Sequence, residues 1–324
     1  MTNILIKDAA QIPVADPIPA LSISRVTIPA PERGIPIELR ITAPAAGKDI
    51  PIILFSHGHG PSLYVPSKDG YGPLVNFYAE RGFAVIQPSH LNSKVSGLDP
   101  SAPDGPTFAR SRPGDMSLIL DQLDAIESQA PFIAGRLDRN KVAVVGHSLG
   151  GATAGLLLGA RYHNPEANVA DVDLSDKRIK LGVLLGAPGN GFESLTEVAR
   201  KKFSSALHTD WTHLATRTLV VVGDEDESAW TIGDGADWHR DSYRCGPGAD
   251  YLLTLHGGKH GFGGVAGWDA KETDDEDPER LAVTQRLTWA YIRSGLYPED
   301  PAWKVACQAL EVVASKHGHV EAKS

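Results

Sequence analysis

Six short apolar runs recur along the chain with helix-length segments between them: PIILFSHG at 51–58, FAVIQPSH at 83–90, KVAVVGHS at 141–148, KLGVLLGAP at 180–188, TLVVVGDED at 218–226 and YLLTLHGG at 251–258. Runs that stay apolar at every position, rather than alternating with polar residues, belong to strands covered on both faces, which is the condition of a parallel sheet. The segments between them predict helices near 72–81, 115–128, 149–160, 192–207 and 279–294. Strand and helix therefore alternate, and the expected fold class is α/β, with a mostly parallel, doubly wound sheet. Upstream, SRVTIPA and IPIELRITAP alternate apolar and polar residues around the turn signal PERG. That pattern predicts an antiparallel hairpin at the N-terminal edge of the sheet.

The remaining organisation follows from this frame. Residues 1–20 carry three prolines and little periodicity, which reads as an extended arm, and residues 21–324 are expected to form one decorated domain. Connections at 90–113 and 227–249 are too long for simple crossovers and are expected to wall or cover a binding site. The acidic stretch 271–279 is expected to be a solvated loop, with Asp277 or a neighbour capping the last long helix. A net charge of −9 disfavours nucleic acid and anionic membrane as partners. Cys245 and Cys307 are too few for a disulfide scaffold and lack metal-ligand spacing. No basic start followed by an apolar stretch opens the chain, and no window is apolar enough for a membrane span, so a cytoplasmic protein is expected.

The strongest local signal is KVAVVGHSLGGATAGLLLG, in which a buried strand meets Gly146-His147-Ser148-Leu149-Gly150 and then a small-residue helix. A G-x-S-x-G pattern between strand and helix places the serine on a sharp, strained turn. The glycines are needed because a side chain at either position would strike neighbouring backbone. Free N–H groups at the start of the following helix favour negative charge beside the serine, with the N–H of Leu149 a natural donor. The spacing G-x-G-x-x-G of a dinucleotide site is absent, as is the phosphate-loop pattern.

With these residues the chain resembles the α/β-hydrolase superfamily, and most nearly its branch of polyester hydrolases, cutinase-like enzymes and platelet-activating-factor-acetylhydrolase-like esterases, over about residues 36–295. Three further motifs carry the likeness. LFSHGHGPS at 54–62 looks like the family's oxyanion loop, which implies the backbone N–H of His59 as a second oxyanion donor beside Leu149. TLVVVGDEDES at 218–228 ends in a run of four carboxylates, Asp224 to Glu227, and the family pattern points to Asp226, with Asp224 and Glu225 as alternatives if the turn is shifted. YLLTLHGGKHGFGG at 251–264 places His260 in a glycine-rich loop as the base, with His256 as the weaker competitor. The order Ser148, Asp226, His260 is the one this fold demands.

The resemblance implies carboxylic ester hydrolysis through an acyl-enzyme, with a small-molecule ester as partner, no organic cofactor, no metal and a monomer or homodimer. A metal reading of His57-Gly58-His59 is disfavoured because Gly60-Pro61-Ser62 follows, without further ligands. An amidase or peptidase of the same fold, or a ligand-binding relative without catalysis, are the alternatives. Tyr64, Trp230 and Trp238 are expected to line an apolar or aromatic pocket, and Arg240 and Arg244 are expected to serve structural pairs. The other histidines, among them His90, His147, His163, His208 and His239, read as ordinary packed or surface residues, His147 packing beneath the turn.

Overall fold

The computed structural model describes residues 5–323 apart from 103–104, 165–168, 191–193, 204–208, 229, 234, 269 and 271–274. In chain order the elements are β1 (Ala20–Ile28), β2 (Ile37–Pro44), β3 (Ile50–Ser56), α1 (Gly72–Ala79), β4 (Ala84–Pro88), α2 (Ser111–Asp121), α3 (Leu123–Gln129), β5 (Leu137–His147) and α4 (Leu149–Leu157). There follow β6 (Arg161–Asn164), β7 (Val169–Asp173), β8 (Ile179–Leu185), α5 (Glu197–Phe203), β9 (Thr209–Asp210), β10 (Thr218–Gly223), α6 (Gly235–Trp238), α7 (Asp241–Cys245), β11 (Ala249–Leu255), α8 (Pro278–Leu296), α9 (Ala302–Val313) and β12 (Gly318–Ala322).

Nine strands form one sheet in the order β1-β2-β4-β3-β5-β8-β10-β11-β12. The six apolar runs all lie in its interior, joined in parallel from β4 through β3, β5, β8 and β10 to β11. Their side chains alternate between two cores. Ile53, Phe55, Val145, Val183 and Val221 face a layer built with α1, α8 and α9. Ile52, Leu54, Val144, Leu184 and Val222 face the opposite layer, with α2, α3 and α4. Covering both faces is why these runs carry no polar alternation.

The expected hairpin is present: β1 and β2 pair antiparallel at one edge, with a register shift between Ser24 and Val26 around Arg25. Arg25 sits at φ 73°, the left-handed turn that lets an extra residue bulge out of a ladder. The opposite edge departs from the sequence reading. β12, polar and short, adds antiparallel to β11, and a small sheet of β7, β6 and β9 stands apart from the main one. Neither carries a continuous apolar run, because each is covered on one face at most.

The helix expected over 115–128 divides into α2 and α3 at Gln122, and α2 begins earlier, at Ser111. Pro113 is tolerated there because it falls in the first turn, whose N–H groups have no partner within the helix. Of the helix expected over 192–207 the structure shows α5, while 191–193 and 204–208, with His208 and Glu193, lie outside the described residues. Asp277 caps α8 through its Oδ1, which accepts from the N–H groups of Glu279 and Arg280 at 2.9 and 3.0 Å. No helix among the described residues is long and apolar enough to cross a membrane.

Candidate active site

The turn between β5 and α4 puts Ser148 at φ 56° and ψ −123°, outside the basins ordinary residues occupy. The glycines on either side make this turn geometrically feasible. A Cβ at Gly146 would stand 1.9 Å from the Gly150 carbonyl oxygen, and one at Gly150 would stand 2.0 Å from that of Ser56. The Ser148 N–H donates to Leu185 O at 2.8 Å, which ties the turn to β8. α4 starts at the next residue, so its positive end faces the serine.

Beyond β10 the chain turns so that Asp226, nearly fully buried, meets the loop that follows β11. Its two oxygens lie 3.1 and 2.9 Å from His260 Nδ1. A carboxylate only accepts, so Nδ1 carries the proton and Nε2 keeps its lone pair. Burial opposes the imidazolium, but the Asp226 charge outweighs it and holds the His260 pKa above its ordinary value. Burial likewise tends to raise Asp226, and His260 reverses that, leaving the carboxyl below its usual range.

The loop after β3 passes directly beneath the serine. A Cβ at Gly58 would stand 3.3 Å from the Ser148 Cβ and 3.0 Å from the Tyr71 hydroxyl, tighter than ordinary van der Waals contact. From here a hydrogen-bonded chain crosses the site. The Gly58 N–H donates to the Tyr71 hydroxyl at 3.0 Å, Tyr71 donates to His147 Nδ1 at 2.8 Å, and His147 Nε2 donates to the His260 carbonyl at 2.7 Å. The direction is fixed at the last link, since a carbonyl can only accept. Burial pushes the His147 pKa down to about 3, which keeps it neutral and preserves this pattern.

Ser148, His260 and His59 line one cavity of about 640 Å³. Its walls are largely apolar, with Leu91, Leu98, Phe108 and Trp230 among them, and Lys94 stands at its side. The model of the alpha/beta hydrolase family matches residues 53–321.

The chain belongs to that family. Among solved structures it is similar to a hyperthermophilic esterase from the archaeon Pyrobaculum calidifontis, at 19% identity and a TM-score of 0.52, covering 90% of this chain and 89% of that one. A monoclinic form of the Pyrobaculum calidifontis esterase matches at 16% identity and a TM-score of 0.53, covering 90% and 88%. An arylesterase structure matches at 14% identity and a TM-score of 0.53, covering 89% and 88%. No curated protein matches the sequence.

Within this alpha/beta hydrolase the adjacent carboxylates after β10 are sorted by the turn. Asp226 points at His260, whereas Asp224 Oδ1 accepts from the Gly257 N–H at 2.7 Å and Glu225 lies toward solvent. His256 pairs with His319 on β12, Nε2 to Nδ1 at 2.9 Å, away from the serine. Of the three aromatic residues expected in the pocket, Trp230 lines the cavity and the other two do not. Trp238 is buried, donates from Nε1 to Asn190 O at 2.9 Å and packs on His239; its indole N–H is satisfied inside the fold. Tyr64 lies half exposed, packed near Gly267 rather than over the serine. Arg244 pairs with Asp237, and Arg240 lies 3.7 Å from Glu321.

Two residues of the site escaped the sequence. Arg112, fully buried, donates from Nε to Thr153 Oγ1 at 2.8 Å and from Nη2 to Ser56 Oγ at 3.1 Å. It also donates to Asn92 Oδ1 and to the carbonyl of His57. One guanidinium thus ties the helix behind Ser148 to the loop that carries His59 and to the Asn92 wall of the cavity. Burial lowers its pKa to about 9, still a cation at neutral pH. Asp115, one turn along α2, meets Arg33 Nη1 and His90 Nδ1, each at 2.8 Å, and His90 Nε2 lies 3.0 Å from Ser56 Oγ. This Asp115, His90, Ser56 line resembles a second triad, but all three are buried and no substrate could reach the serine. The other missed residue is His239, which stands 3.5 Å from Asp226 Oδ2 on the side away from the direct His260 bond.

Proposed function

We propose that the chain is a carboxylic ester hydrolase working through an acyl-enzyme, with Ser148 as nucleophile, His260 as general base and then acid, and Asp226 as the residue that orients His260. The observation that carries this reading is the bond from His260 Nδ1 to Asp226 at 2.9 Å, with His260 and Ser148 sharing one cavity wall. That bond leaves the Nε2 lone pair of His260 for the serine proton, which is the tautomer a base at this position needs. Serine Oγ attacks the ester carbonyl as Nε2 takes its proton. The N–H groups of His59 and Leu149 bind the oxyanion that forms. Collapse expels the alcohol, which takes the proton back from Nε2, and water repeats the sequence to release the acid.

The apolar lining and a volume of about 640 Å³ suit a small to medium apolar or aromatic ester. Asp226 stands eight positions after Thr218 at the end of the same strand run, the spacing of the polyester-hydrolase pattern, and we place the chain nearest to the branch of polyester hydrolases, cutinase-like enzymes and acetylhydrolase-like esterases. Residues 21–324 act as one catalytic unit in this reading, with 90–113 and 227–249 as its long loops.

The test is hydrolysis of p-nitrophenyl esters from acetate to palmitate, by the wild type and by Ser148→Ala, with and without EDTA. A serine mechanism requires that EDTA leave the rate intact while the alanine variant loses about four to six orders of magnitude in kcat. A wild type inert on every ester, or an alanine variant with full rate, overturns the assignment.

A further inference from the structure

Asp226 has two histidines beside it, and their rings lie 5.4 Å apart. His260 Nδ1 lies 2.9 Å from Oδ2, and His239 Nε2 lies 3.5 Å from the same oxygen. His239 Nδ1 is 2.8 Å from the carbonyl of Ala187, and a carbonyl can only accept, so the neutral ring carries its proton on Nδ1. Nε2 then presents a lone pair to a carboxylate, with no hydrogen between two acceptors inside the protein. Both Asp226 and His239 are more than nine-tenths buried.

A cation placed between them would satisfy both groups at once. Asp226, His239 and His260 each offer one ligand atom, and these atoms lie within 4.8 Å of one another. Tetrahedral zinc with bonds of 2.0–2.1 Å holds its ligand atoms about 3.3 Å apart, close to the 3.5 and 2.9 Å seen here. The Ala187 carbonyl already provides what metal-bound histidines usually have, an outer partner that fixes the ring and its tautomer. His260 is the partly exposed member and opens the way from the cavity, where water can supply a fourth ligand. A second trio, Asp8, Glu279 and His317, differs in that its acids are already engaged: Glu279 by the N–H groups of Lys7, Asp8 and Ala9, and Asp8 by Lys316 at 2.6 Å.

We propose that Asp226, His239 and His260 form an inhibitory site for a divalent transition-metal ion of the zinc or copper type. The metal takes the Nδ1 lone pair of His260, so the proton of that neutral ring moves through solvent to Nε2. No proton is gained or lost overall. His260 then has no lone pair facing Ser148 and cannot serve as base. Inhibition rests on the esterase reading above, whereas binding of the ion does not.

Calorimetric titration of Zn2+ into the wild type and into Ser148→Ala tests binding without any need for turnover. One site is expected in both, weakened in His239→Gln by at least the roughly 10–100-fold that loss of an outer metal partner costs. His319→Gln, which removes half of the exposed His256/His319 pair, is expected to leave that site unchanged. Anomalous scattering at the zinc edge from wild-type crystals soaked in Zn2+ locates the ion without relying on any variant. Zn2+ is further expected to inhibit ester hydrolysis, with EDTA restoring it. The proposal is overturned if the wild type binds no Zn2+, if His239→Gln binds as tightly, or if the anomalous peak lies at His256 and His319. An inert wild type that still binds Zn2+ between Asp226 and His239 would remove the esterase reading and leave the site standing.

Discussion

His147 Nε2 lies 2.7 Å from the main-chain carbonyl of His260, so the residue beside the candidate nucleophile holds the loop of the candidate base. Through Tyr71 the same imidazole reaches the Gly58 N–H, next to the candidate oxyanion donor His59. Three loops from three strand ends are thereby set by one neutral ring. Replacing His147 by Ala is expected to lower kcat by about 100-fold, the effect of misplacing a reacting group by about 1 Å, with KM changed far less. Tyr71→Phe should act in the same direction, and it leaves buried His147 Nδ1 without its donor at a cost of about 1–3 kcal/mol. Steady-state kinetics beside a thermal melt separates the two effects. Unchanged kcat in both variants would show that the chain of bonds positions nothing.

The charge state of His260 sets the acid limb of the rate profile. Because Asp226 holds its pKa above the ordinary histidine value, kcat/KM is expected to fall as pH drops through a point higher than that value. Below it the ring is protonated and cannot accept the serine proton. Asp226→Asn removes the charge that raises this pKa, so the limb should move to lower pH while the rate falls by about 10⁴. A limb that stays in place in the asparagine variant would mean that another group sets it.

Arg112 offers a different test, since its guanidinium serves four structural partners at once. Arg112→Met would leave Thr153 Oγ1, Asn92 Oδ1, Ser56 Oγ and the His57 carbonyl without this donor, and breaking a buried charge network of this kind costs about 3–5 kcal/mol. Arg112→Lys keeps the charge but cannot reproduce the fork. Its expected signature is a folded protein with lower kcat and nearly unchanged KM for an ester that the wild type cleaves. Denaturant unfolding and kinetics on the two variants check both halves, and a lysine variant with wild-type kcat would confine Arg112 to stability.

One carboxylate gathers three N–H groups of the N-terminal arm. Burial alone would raise the Glu279 pKa, but the N–H groups of Ala9, Lys7 and Asp8 overcome that and lower it. A carboxylate lowered in the folded state contributes stability above its unfolded value, and that contribution is lost as pH falls through the folded one. Protection of the amides of residues 7–9, taken relative to their intrinsic exchange rate at each pH, should therefore fall under acid, and at neutral pH in Glu279→Ala. Equal protection in the variant would mean that other contacts hold the arm.

The alternation of apolar runs with helix-length segments was enough to reach an α/β sheet with an antiparallel edge, because burial on both faces removes polar residues from a strand in a way that one-dimensional pattern records. The glycines around Ser148 were legible for a similar reason: a Cβ at either place meets backbone within about 2 Å, and no other residue type solves that. The two carboxylates beside Asp226 differ from it only in where the turn points them, which composition and spacing cannot state. Trp238 and Tyr64 show the same limit, since an aromatic residue in a long loop is as suited to a packed interior as to a cavity wall, and here hydrogen bonding and packing decided. β12 pairs along one side only and needs no apolar run. Arg112, His147 and His239 were hidden most deeply. Their partners are carbonyls, hydroxyls and a carboxylate drawn from positions 13 to 113 residues away, and only the tertiary structure brings those groups within reach.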